Sequence, residues 1–241
     1  MRLRTCMVAI AWAAAGAPVL LTGVTGTAAA QEAEGSQRTC RGEPATLVGS
    51  DQLTGTPGRD VIVATAPNAL VLAGAGDDLI CGSRRVHGEQ GDDEIHYSGE
   101  ARLNSRLYIL GGTGDDVIEF HGQQHHASAG TRDGVYGGAG ADVMVGAGGM
   151  LWFSGGSGPD RLVAGPDGYL MEGGPGDDVL LGGDGQDIIS GGGGDDQLRG
   201  RGRSDDLSGG GGHDEVWGGP AWDVCARGNE IEHSCEADDW V

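Results

Sequence analysis

Apolar and polar positions alternate along most of the chain with a period of nine residues. From Gly173 onward six units follow without a break, and they read GGPGDDVLL, GGDGQDIIS, GGGGDDQLR, GRGRSDDLS, GGGGHDEVW and GGPAWDVCA. Each unit begins with a glycine-rich polar stretch and ends with three residues whose middle member, at position eight, is apolar. The pattern predicts a tight turn followed by a short strand whose position-eight side chain points inward.

Related units precede this run, with insertions between some of them. They are GTPGRDVIV from Gly55, AGAGDDLIC from Ala73, GEQGDDEIH from Gly88, GGTGDDVIE from Gly111, GGAGADVMV from Gly137 and GGSGPDRLV from Gly155. One unit cannot bury its apolar residue alone, so the units must stack. We therefore predict an all-β fold, a parallel β-roll (β-solenoid) with two units per coil, in which turns eighteen residues apart stack along the same edge.

This phasing divides the position-six residues between two edges of the predicted roll. The first edge carries a row of aspartates: Asp60, Asp78, Asp93, Asp116, Asp142, Asp160, Asp178, Asp196 and Asp214. The second edge carries Asp51, Ala69, Leu107, Asp133, Leu151, Tyr169, Asp187, Asp205 and Asp223. Its inward apolar positions persist as Val71, Ile109, Val135, Phe153 and Met171. We expect cation sites along the whole first edge and mainly near the C-terminal end of the second.

The residue types in each turn indicate which cation it binds. Glycine adopts φ > 0 without the penalty of a Cβ atom, and its missing side chain lets carbonyl oxygens converge. Aspartate at position six adds a carboxylate, and ligation by oxygen alone suits Ca²⁺. The predicted metal ligands are Asp60, Asp78, Asp93, Asp116, Asp142, Asp160, Asp178, Asp187, Asp196, Asp205 and Asp214, with the turn glycines Gly174, Gly176, Gly183, Gly185, Gly192 and Gly194.

Composition and charge narrow the classes of partner. The chain has 241 residues, of which 50 are glycine, only 5% aromatic residues and a formal charge of −21. Such values are typical of disordered chains unless a repeat architecture or a bound metal supplies the missing stabilisation. The acidic surface argues against nucleic acid and anionic membranes and favours cations. A pore-forming toxin is disfavoured because no amphipathic or apolar membrane-inserting segment follows the N-terminus.

The N-terminus is typical of an export signal. MRLR is basic, CMVAIAWAAAGAPVLL is apolar, and TGVTGTAAA ends in small residues before Gln31, which predicts a cleaved signal peptide over residues 1–30. An uncleaved membrane anchor is the alternative. Export would place Cys40, Cys81, Cys225 and Cys235 in an oxidising compartment. Three disulfide pairings are possible; the spacing favours Cys40–Cys81 and Cys225–Cys235, and a zinc site is the alternative.

The nonapeptide GGxGxDxUx, where U is a large apolar residue, resembles the hemolysin-type (RTX) calcium-binding repeat over roughly residues 46–226. The segments TCRGEPATLVGSDQLTGTPGRDVI and WDVC…SCE are similar to small secreted calcium-binding repeat proteins of high-GC bacteria. The resemblance implies Ca²⁺ between stacked turns, bound by turn carbonyls and by position-six aspartates of two turns. It is less complete at Asp93, Asp205 and Asp223, whose turns lack a motif glycine. Segments 31–45 and 227–241 are predicted to be end caps.

The alternatives to a calcium-binding structural protein depend on one insertion. FHGQQHHASAG places His121, His125 and His126 together, which suggests a transition-metal or glycan site, or simply a polar surface loop. A polysaccharide-modifying enzyme or a glycan-binding protein could use this His121–His126 edge. We favour a secreted, non-enzymatic calcium-binding protein that folds on binding several Ca²⁺ ions and has a structural or interaction role. The sequence names no glycan or protein partner.

Overall fold

A computed structural model of the chain describes residues 38–99, 107–122, 134–148, 152–226 and 231–235. The chain divides into two compact units, Met1–Ser36 and Gln37–Val241, and all described residues belong to the second. The predicted signal peptide therefore lies outside the described residues. Within the described part of the chain, no helical segment has the length and hydropathy that a membrane crossing needs.

Two parallel sheets of short strands form this second unit. The ten-strand sheet contains β4 (Gln52–Thr54), β6 (Leu70–Ala75), β8 (Arg85–Gln90), β10 (Tyr108–Thr113), β12 (Gly134–Ala139), β14 (Trp152–Ser157), β16 (Leu170–Pro175), β18 (Ile188–Gly193), β20 (Asp206–Gly211) and β22 (Val224–Cys225). The eleven-strand sheet contains β3 (Leu47–Gly49), β5 (Val61–Ala64), β7 (Leu79–Cys81), β9 (Glu94–Tyr97), β11 (Val117–Phe120), β13 (Val143–Gly146), β15 (Arg161–Val163), β17 (Val179–Leu181), β19 (Gln197–Arg199), β21 (Glu215–Trp217) and β23 (Ile231–His233). Successive strands alternate between the sheets, which confirms the predicted β-roll.

The register confirms that two nonapeptide units make one coil. Met171 pairs with Ile189, and Ile189 pairs with Leu207, so position eight of each coil lies over position eight of the next. In the other sheet Leu180 pairs with Leu198 in the same way. Equivalent turns are thereby stacked along two edges. At the first edge the chain passes from the ten-strand sheet to the eleven-strand sheet, and at the second edge it passes back to the ten-strand sheet.

The core lies between the two sheets and consists mainly of the position-eight side chains, with Tyr97, Phe120, Leu107 and Tyr169 beside them. The predicted inward residues Val71, Ile109, Val135, Phe153 and Met171 are all fully buried. Burial of one such side chain contributes roughly 1.5–3 kcal/mol. Because glycine and aspartate occupy many of the remaining positions, these buried apolar side chains of the two sheets supply most of the hydrophobic stabilisation.

An antiparallel hairpin of β1 (Thr39–Cys40) and β2 (Glu43–Pro44) precedes the first coil. Cys40 packs with Val61, Val63 and Leu79, which alternate with inward residues and therefore lie on the outer face of the eleven-strand sheet. The hairpin thus covers the side of the roll near its N-terminal end. The predicted caps at 31–45 and 227–241 remain predictions, since much of both segments lies outside the described residues.

Both disulfides favoured by the cysteine spacing are present. Cys40 is bonded to Cys81 on β7, which fastens the hairpin to the eleven-strand sheet. Cys225, at the end of β22, is bonded to Cys235, which follows β23. The zinc alternative is therefore wrong for these four cysteines, because each sulfur is covalently paired.

Candidate calcium sites along the two edges

Most turns of the first edge have a backbone that favours glycine at positions two and four. In the turn between β16 and β17, Gly174 and Gly176 have φ of +121° and +147°. A Cβ atom on Gly174 would lie 1.9 Å from the carbonyl oxygen of Gly156, and one on Gly176 would lie 2.0 Å from that of Gly158. At this turn the coils are therefore stacked too closely for a side chain at either position.

The second-edge turn between β17 and β18 needs glycine for space rather than for conformation. Gly183 and Gly185 are not among the residues with positive φ. A Cβ on Gly183 would nevertheless lie 1.7 Å from the carbonyl oxygen of Gly165, and one on Gly185 would lie 2.3 Å from the amide nitrogen of Gly168. The expectation of φ > 0 at every motif glycine is wrong at these two positions, because the second-edge turn follows a different backbone path.

The position-six aspartates of the first edge are linked by a continuous ladder of hydrogen bonds. In each link the Oδ1 atom of one aspartate accepts a hydrogen bond from the backbone N–H of the aspartate in the preceding coil, at 2.7–2.9 Å. The ladder brings together Asp60, Asp78, Asp93, Asp116, Asp142, Asp160, Asp178, Asp196 and Asp214. One carboxylate oxygen of each residue after Asp60 is therefore used to hold adjacent coils in register.

The second carboxylate oxygen has no such partner in most turns. The Oδ2 atoms are buried and accept no hydrogen bond in Asp78, Asp93, Asp116, Asp142, Asp160, Asp178, Asp196, Asp205 and Asp214. A buried oxygen of a charged group without a partner is strongly unfavourable. The repetition of this feature along an entire edge identifies the Oδ2 row as the place where a cation is required.

In most of these turns a carbonyl oxygen of the next coil lies close to the Oδ2 atom. At Gly173, the first residue of its unit, a Cβ would lie 2.2 Å from Asp178 Oδ2 and 2.5 Å from the carbonyl oxygen of Gly191. The equivalent distances at Gly155 are 2.2 Å to Asp160 Oδ2 and 2.7 Å to the carbonyl oxygen of Gly173. The missing side chain at position one therefore leaves a recess that two oxygens from adjacent coils line.

Burial and mutual repulsion change the acidity of the row. Burial, followed by the neighbouring carboxylates, raises the pKa of Asp93, Asp116 and Asp160 to about 7, although the N–H hydrogen bonds oppose the shift. Burial likewise raises the pKa of Asp78, Asp142 and Asp196 to about 6, and it raises that of Asp178. The charged row is thus unfavourable without a counter-charge.

Asp60, at the first-edge turn between β4 and β5, differs from the other members of the row. Its Oδ2 accepts hydrogen bonds from the Thr56 backbone N–H at 2.6 Å and the Thr56 hydroxyl at 2.9 Å, and its Oδ1 accepts one from the Thr46 hydroxyl at 3.0 Å. Burial raises the pKa of Asp60, but these hydrogen bonds outweigh it and lower the pKa. Protein donors at this turn therefore satisfy the carboxylate that a cation would satisfy elsewhere.

The second edge repeats the ladder only near its C-terminal end. Asp187 Oδ1 accepts from the Tyr169 N–H at 2.7 Å, Asp205 Oδ1 from the Asp187 N–H at 2.8 Å, and Asp223 Oδ1 from the Asp205 N–H at 2.9 Å. Asp187 Oδ2 also accepts from the Gly183 N–H at 2.8 Å. Burial raises the pKa of Asp205 to about 7 and that of Asp187 as well. On this edge the Oδ2 atom of Asp205 is buried and accepts no hydrogen bond.

Large side chains replace carboxylates in the middle of the second edge. Tyr169 is buried at position six, its ring lies 5.2 Å from that of Phe153, and its hydroxyl donates to the Gly148 carbonyl at 3.3 Å. Leu107 is fully buried at the equivalent place. Asp133 and Leu151, the other predicted members, lie outside the described residues. An apolar filling therefore takes the place of the cation recess.

The structure adds three features to the site that sequence reasoning missed. The glycines at position one of the units line the recess, and their regular recurrence in the sequence could have predicted this role. Arg84, 3% exposed, occupies position six of the second edge between Ala69 and Leu107, because Arg85 pairs with both Leu70 and Tyr108. A second, exposed ladder links position-five residues, and its accepting carboxylates are those of Asp77, Asp92, Asp115, Asp177 and Asp195.

The histidine insertion is only partly described. His125 and His126 lie outside the described residues. His121 follows β11, where its Nε2 lies 3.7 Å from Glu119 Oε2 and its N–H donates to the Tyr97 carbonyl at 2.7 Å. Arg85 lies on β8 of the ten-strand sheet, where its guanidinium contacts the Asn68 carbonyl. His121 therefore lies beside Tyr97, whereas Arg85 belongs to the other sheet.

The donor set of the recesses fits a hard cation. Each recess offers carboxylate and carbonyl oxygens, and Ca²⁺ is bound by such oxygens at flexible coordination numbers. Among the described residues, no three His, Cys, Asp or Glu side chains converge as a metal centre. This agrees with a site in which backbone carbonyls supply much of the ligation and each turn contributes a single carboxylate.

Comparison with protein families identifies the repeats. The family model of the RTX calcium-binding nonapeptide repeat matches four segments, residues 47–84, 132–149, 172–202 and 199–229. A search of curated proteins gave no significant match. The matched segments contain first-edge turns with orphaned Oδ2 atoms as well as the second-edge turns of Asp187, Asp205 and Asp223. The chain therefore contains four matches to the RTX calcium-binding nonapeptide repeat in a β-roll, and repeats of this family bind Ca²⁺ at several turns.

Proposed function

We propose that this protein is exported, is not an enzyme, and completes its fold by binding Ca²⁺ between stacked turns, serving as a structural or interaction module. The row of buried Oδ2 atoms without a hydrogen-bond donor carries the proposal. In a folded chain without a counter-ion, these carboxylates would be desolvated and stacked at about the 4.8 Å spacing of adjacent strands. Electrostatic repulsion and desolvation of these carboxylates therefore favour the unfolded state of the calcium-free chain.

The proposed ligands are the position-six carboxylates of adjacent coils together with the carbonyl oxygens beside the position-one glycines. Bound Ca²⁺ would supply the positive charge that these carboxylates lack and would join two coils. Free energy of binding would then become free energy of folding. Tyr169 and Leu107 need no cation, which supports calcium sites concentrated on the first edge and at the C-terminal end of the second.

The lack of a distinct reactive pair supports a non-enzymatic role. Adjacent carboxylates such as Asp177 and Asp178 recur along the first edge in near-identical surroundings. An acid–base pair requires two groups whose environments differ from those of all others. Here one carboxylate of each pair is exposed and the other takes part in the ladder between coils, so the repetition serves stacking.

Export is supported by the basic, apolar and small-residue segments of residues 1–30 and by the two disulfides, which persist in oxidising compartments. The test is the N-terminal sequence and mass of the protein recovered from outside the producing cell. We expect the mature chain to begin at Gln31. An intact N-terminus on a cell-associated protein would contradict export with cleavage and support the anchor.

Folding on binding is tested by far-ultraviolet circular dichroism of the mature protein, titrated with Ca²⁺, then with EDTA, and in parallel with Mg²⁺. We expect a coil spectrum that becomes a β spectrum with Ca²⁺, reverses with EDTA and does not form with Mg²⁺. A β spectrum that is unchanged by EDTA would show that the buried apolar side chains and disulfides suffice, and would overturn calcium-dependent folding.

A further inference from the structure

A ladder of aromatic rings runs across the outer face of the ten-strand sheet. The rings belong to His87, Tyr108, Tyr136 and Trp152, on the successive strands β8, β10, β12 and β14. Their centroids are 5.4 Å, 5.5 Å and 6.1 Å apart, with interplanar angles of 46–52°. All four side chains are half-buried, so each ring retains an exposed part. We name these four residues the aromatic ladder.

The sequence keeps a small residue where the ladder needs space. Gly134 pairs with Tyr108 at an outward position of β12. A Cβ atom on Gly134 would lie 3.2 Å from the Tyr136 hydroxyl and 3.3 Å from its ring. The absence of a side chain at this position leaves room for the Tyr136 ring between those of Tyr108 and Trp152.

Exposed aliphatic residues extend the ladder toward the C-terminus. Leu170 on β16 is 41% exposed and pairs with Trp152, and Ile188 on β18 is 52% exposed and pairs with Leu170. These are two of the four large apolar residues that are exposed in the described part of the chain. The ladder and these two residues form one apolar stripe along the axis of stacking.

The dimensions of the stripe argue for a linear partner. It crosses six strands of the sheet, which at about 4.8 Å per strand is about 24 Å, and it is two side-chain rows, or about 7 Å, wide. This is on the order of 200 Å², whereas a stable protein–protein interface buries about 800 Å² on each partner. A second copy of this chain would therefore gain too little from the stripe alone.

The backbone and the charges restrict that partner further. The strands that carry the ladder are paired on both sides, so no free strand edge is available for an extended peptide. Arg85, Glu89 and Glu172 are the fully charged side chains at the outward positions of β8 to β16, so the stripe carries few charges in a molecule of formal charge −21. The overall charge repels polyanions such as nucleic acids and acidic polysaccharides. A neutral chain suits these conditions.

We propose that the aromatic ladder is a binding platform for a neutral polysaccharide chain that lies along the roll axis. The C–H face of a sugar ring is apolar and weakly positive, and it complements the negative face of an aromatic ring. The sugar hydroxyls on the ring edge remain in water. Successive rings at 5.4–6.1 Å allow successive sugars to stack. This site differs from the His121–His126 edge and uses no calcium ligand; it needs only the folded roll, whose calcium-dependent folding is tested separately above.

The test uses the full mature protein with saturating Ca²⁺ and a panel of soluble neutral hexasaccharides: β-1,4-glucan, β-1,3-glucan, β-1,4-mannan, β-1,4-xylan and chitin. Binding is followed by isothermal titration calorimetry and tryptophan fluorescence. We expect at least one to bind. Trp152→Ala and Tyr136→Ala should each weaken its affinity at least tenfold, and Tyr136→Phe should leave it within about twofold.

The matched control is Trp222→Ala, because Trp222 is 68% exposed and lies away from the ladder. Its affinity should equal that of the parent, and all variants should give the parent circular dichroism spectrum with Ca²⁺. Binding to none of the hexasaccharides, or unchanged binding by a Tyr136→Ala, Trp152→Ala double variant, would overturn the proposal. A dimer in sedimentation velocity that Trp152→Ala dissociates would instead assign the stripe to a second copy.

Discussion

At the scale of single residues, the two oxygens of each position-six aspartate have different surroundings. Oδ1 accepts a backbone N–H from the neighbouring coil, while Oδ2 is buried and has no donor. Oδ1 holds adjacent coils in register whether or not a cation is bound. Burial of the charged Oδ2 is unfavourable until a cation binds it, so the same side chain links the stacking of coils to ion binding.

Asp178→Asn is predicted to weaken calcium-dependent stability because it removes the charge while preserving an acceptor for the ladder. In saturating Ca²⁺ the free energy of unfolding should fall by about 1–3 kcal/mol, the range for a lost buried charge-assisted interaction. Urea denaturation measures this. The matched control is Asp177→Asn, since Asp177 is the exposed neighbour in the same turn and should change stability by less than about 0.5 kcal/mol. Equal effects of the two variants would contradict the assignment of Oδ2 as the ligand.

The raised pKa of the row predicts an inverted pH dependence for the calcium-free protein. The pKa of Asp93, Asp116 and Asp160 rises from the ordinary 3.8 to about 7, so the folded state binds protons more tightly than the unfolded state. This contribution to stability is fully present below pH 3.8 and is lost as pH rises through about 7. Calcium affinity should rise over the same window, because protons compete for the carboxylates.

The measurement is the β-structure content, by far-ultraviolet circular dichroism, of protein depleted of Ca²⁺ on a chelating resin, at about pH 4.5 and about pH 7.5. We expect more β-structure at the lower pH. Asp160→Asn should reduce the difference, because it removes one of the groups that titrate. A β-structure content that increases with pH would contradict the raised pKa of the row in the calcium-free protein.

At the scale of elements, each turn is defined by glycines with different physical roles. Gly192 has φ of +124°, and a Cβ there would lie 2.2 Å from the Gly174 carbonyl oxygen. A Cβ on its neighbour Gly193 would have nothing within 4 Å. Glu89 and Arg201 occupy equivalent second positions with φ of 81° and 79°, so these two turns carry strain that glycine avoids.

Gly192→Ala and Gly193→Ala therefore form a matched pair with opposite predictions. Gly192→Ala should lower stability in Ca²⁺ by roughly 2 kcal/mol or more, through a forbidden φ and a clash with backbone. Gly193→Ala should be neutral or slightly stabilising, because it restricts only the unfolded chain. Thermal unfolding in saturating Ca²⁺ compares them. A similar loss in both would mean that the turn requires glycine for another reason.

At the scale of the whole molecule, the two edges differ in the number of carboxylates. The coil of β18 and β19 and the coil of β20 and β21 each have position-six aspartates at both turns, whereas the coil of β16 and β17 begins at Tyr169 on the second edge and has Asp178 on the first. Tyr169 packs on Phe153 and is hydrogen-bonded to Gly148. Removal of Ca²⁺ should therefore open the C-terminal coils before the middle ones.

Hydrogen exchange followed by mass spectrometry tests this gradient. When Ca²⁺ is lowered stepwise, amides of β18 to β21 should exchange at least about tenfold faster than those of β14 to β17. Tyr169→Phe should preserve the gradient, because the ring contact with Phe153 remains. Tyr169→Asp should extend rapid exchange into β16 and β17. Uniform exchange at every Ca²⁺ concentration would indicate one cooperative unit and contradict the predicted order.

Much of the fold could be predicted because a repeat lets every unit report on the same geometry. The inward positions from Val71 to Met171, the two units per coil and the two disulfides all follow from spacing. The alternation of strand and turn is local, and local patterns are visible in sequence. The predicted row from Asp60 to Asp214 is also brought together as expected, although the hydrogen bonds of Asp60 to Thr46 and Thr56 were not apparent from the motif.

The nonapeptide period by itself determined the stacking of turns, the burial of position eight and the alignment of one carboxylate per turn, because those properties need only a constant number of residues per coil. The tertiary structure alone decided which carboxylate oxygen is left without a partner, that Arg84 enters the second edge, and that the hairpin of Cys40 covers the side of a sheet. It also placed His87, Tyr108, Tyr136 and Trp152 in one ladder. Each of these depends on contacts between different coils, and such contacts are set by the way insertions and pairing shift the coils in space.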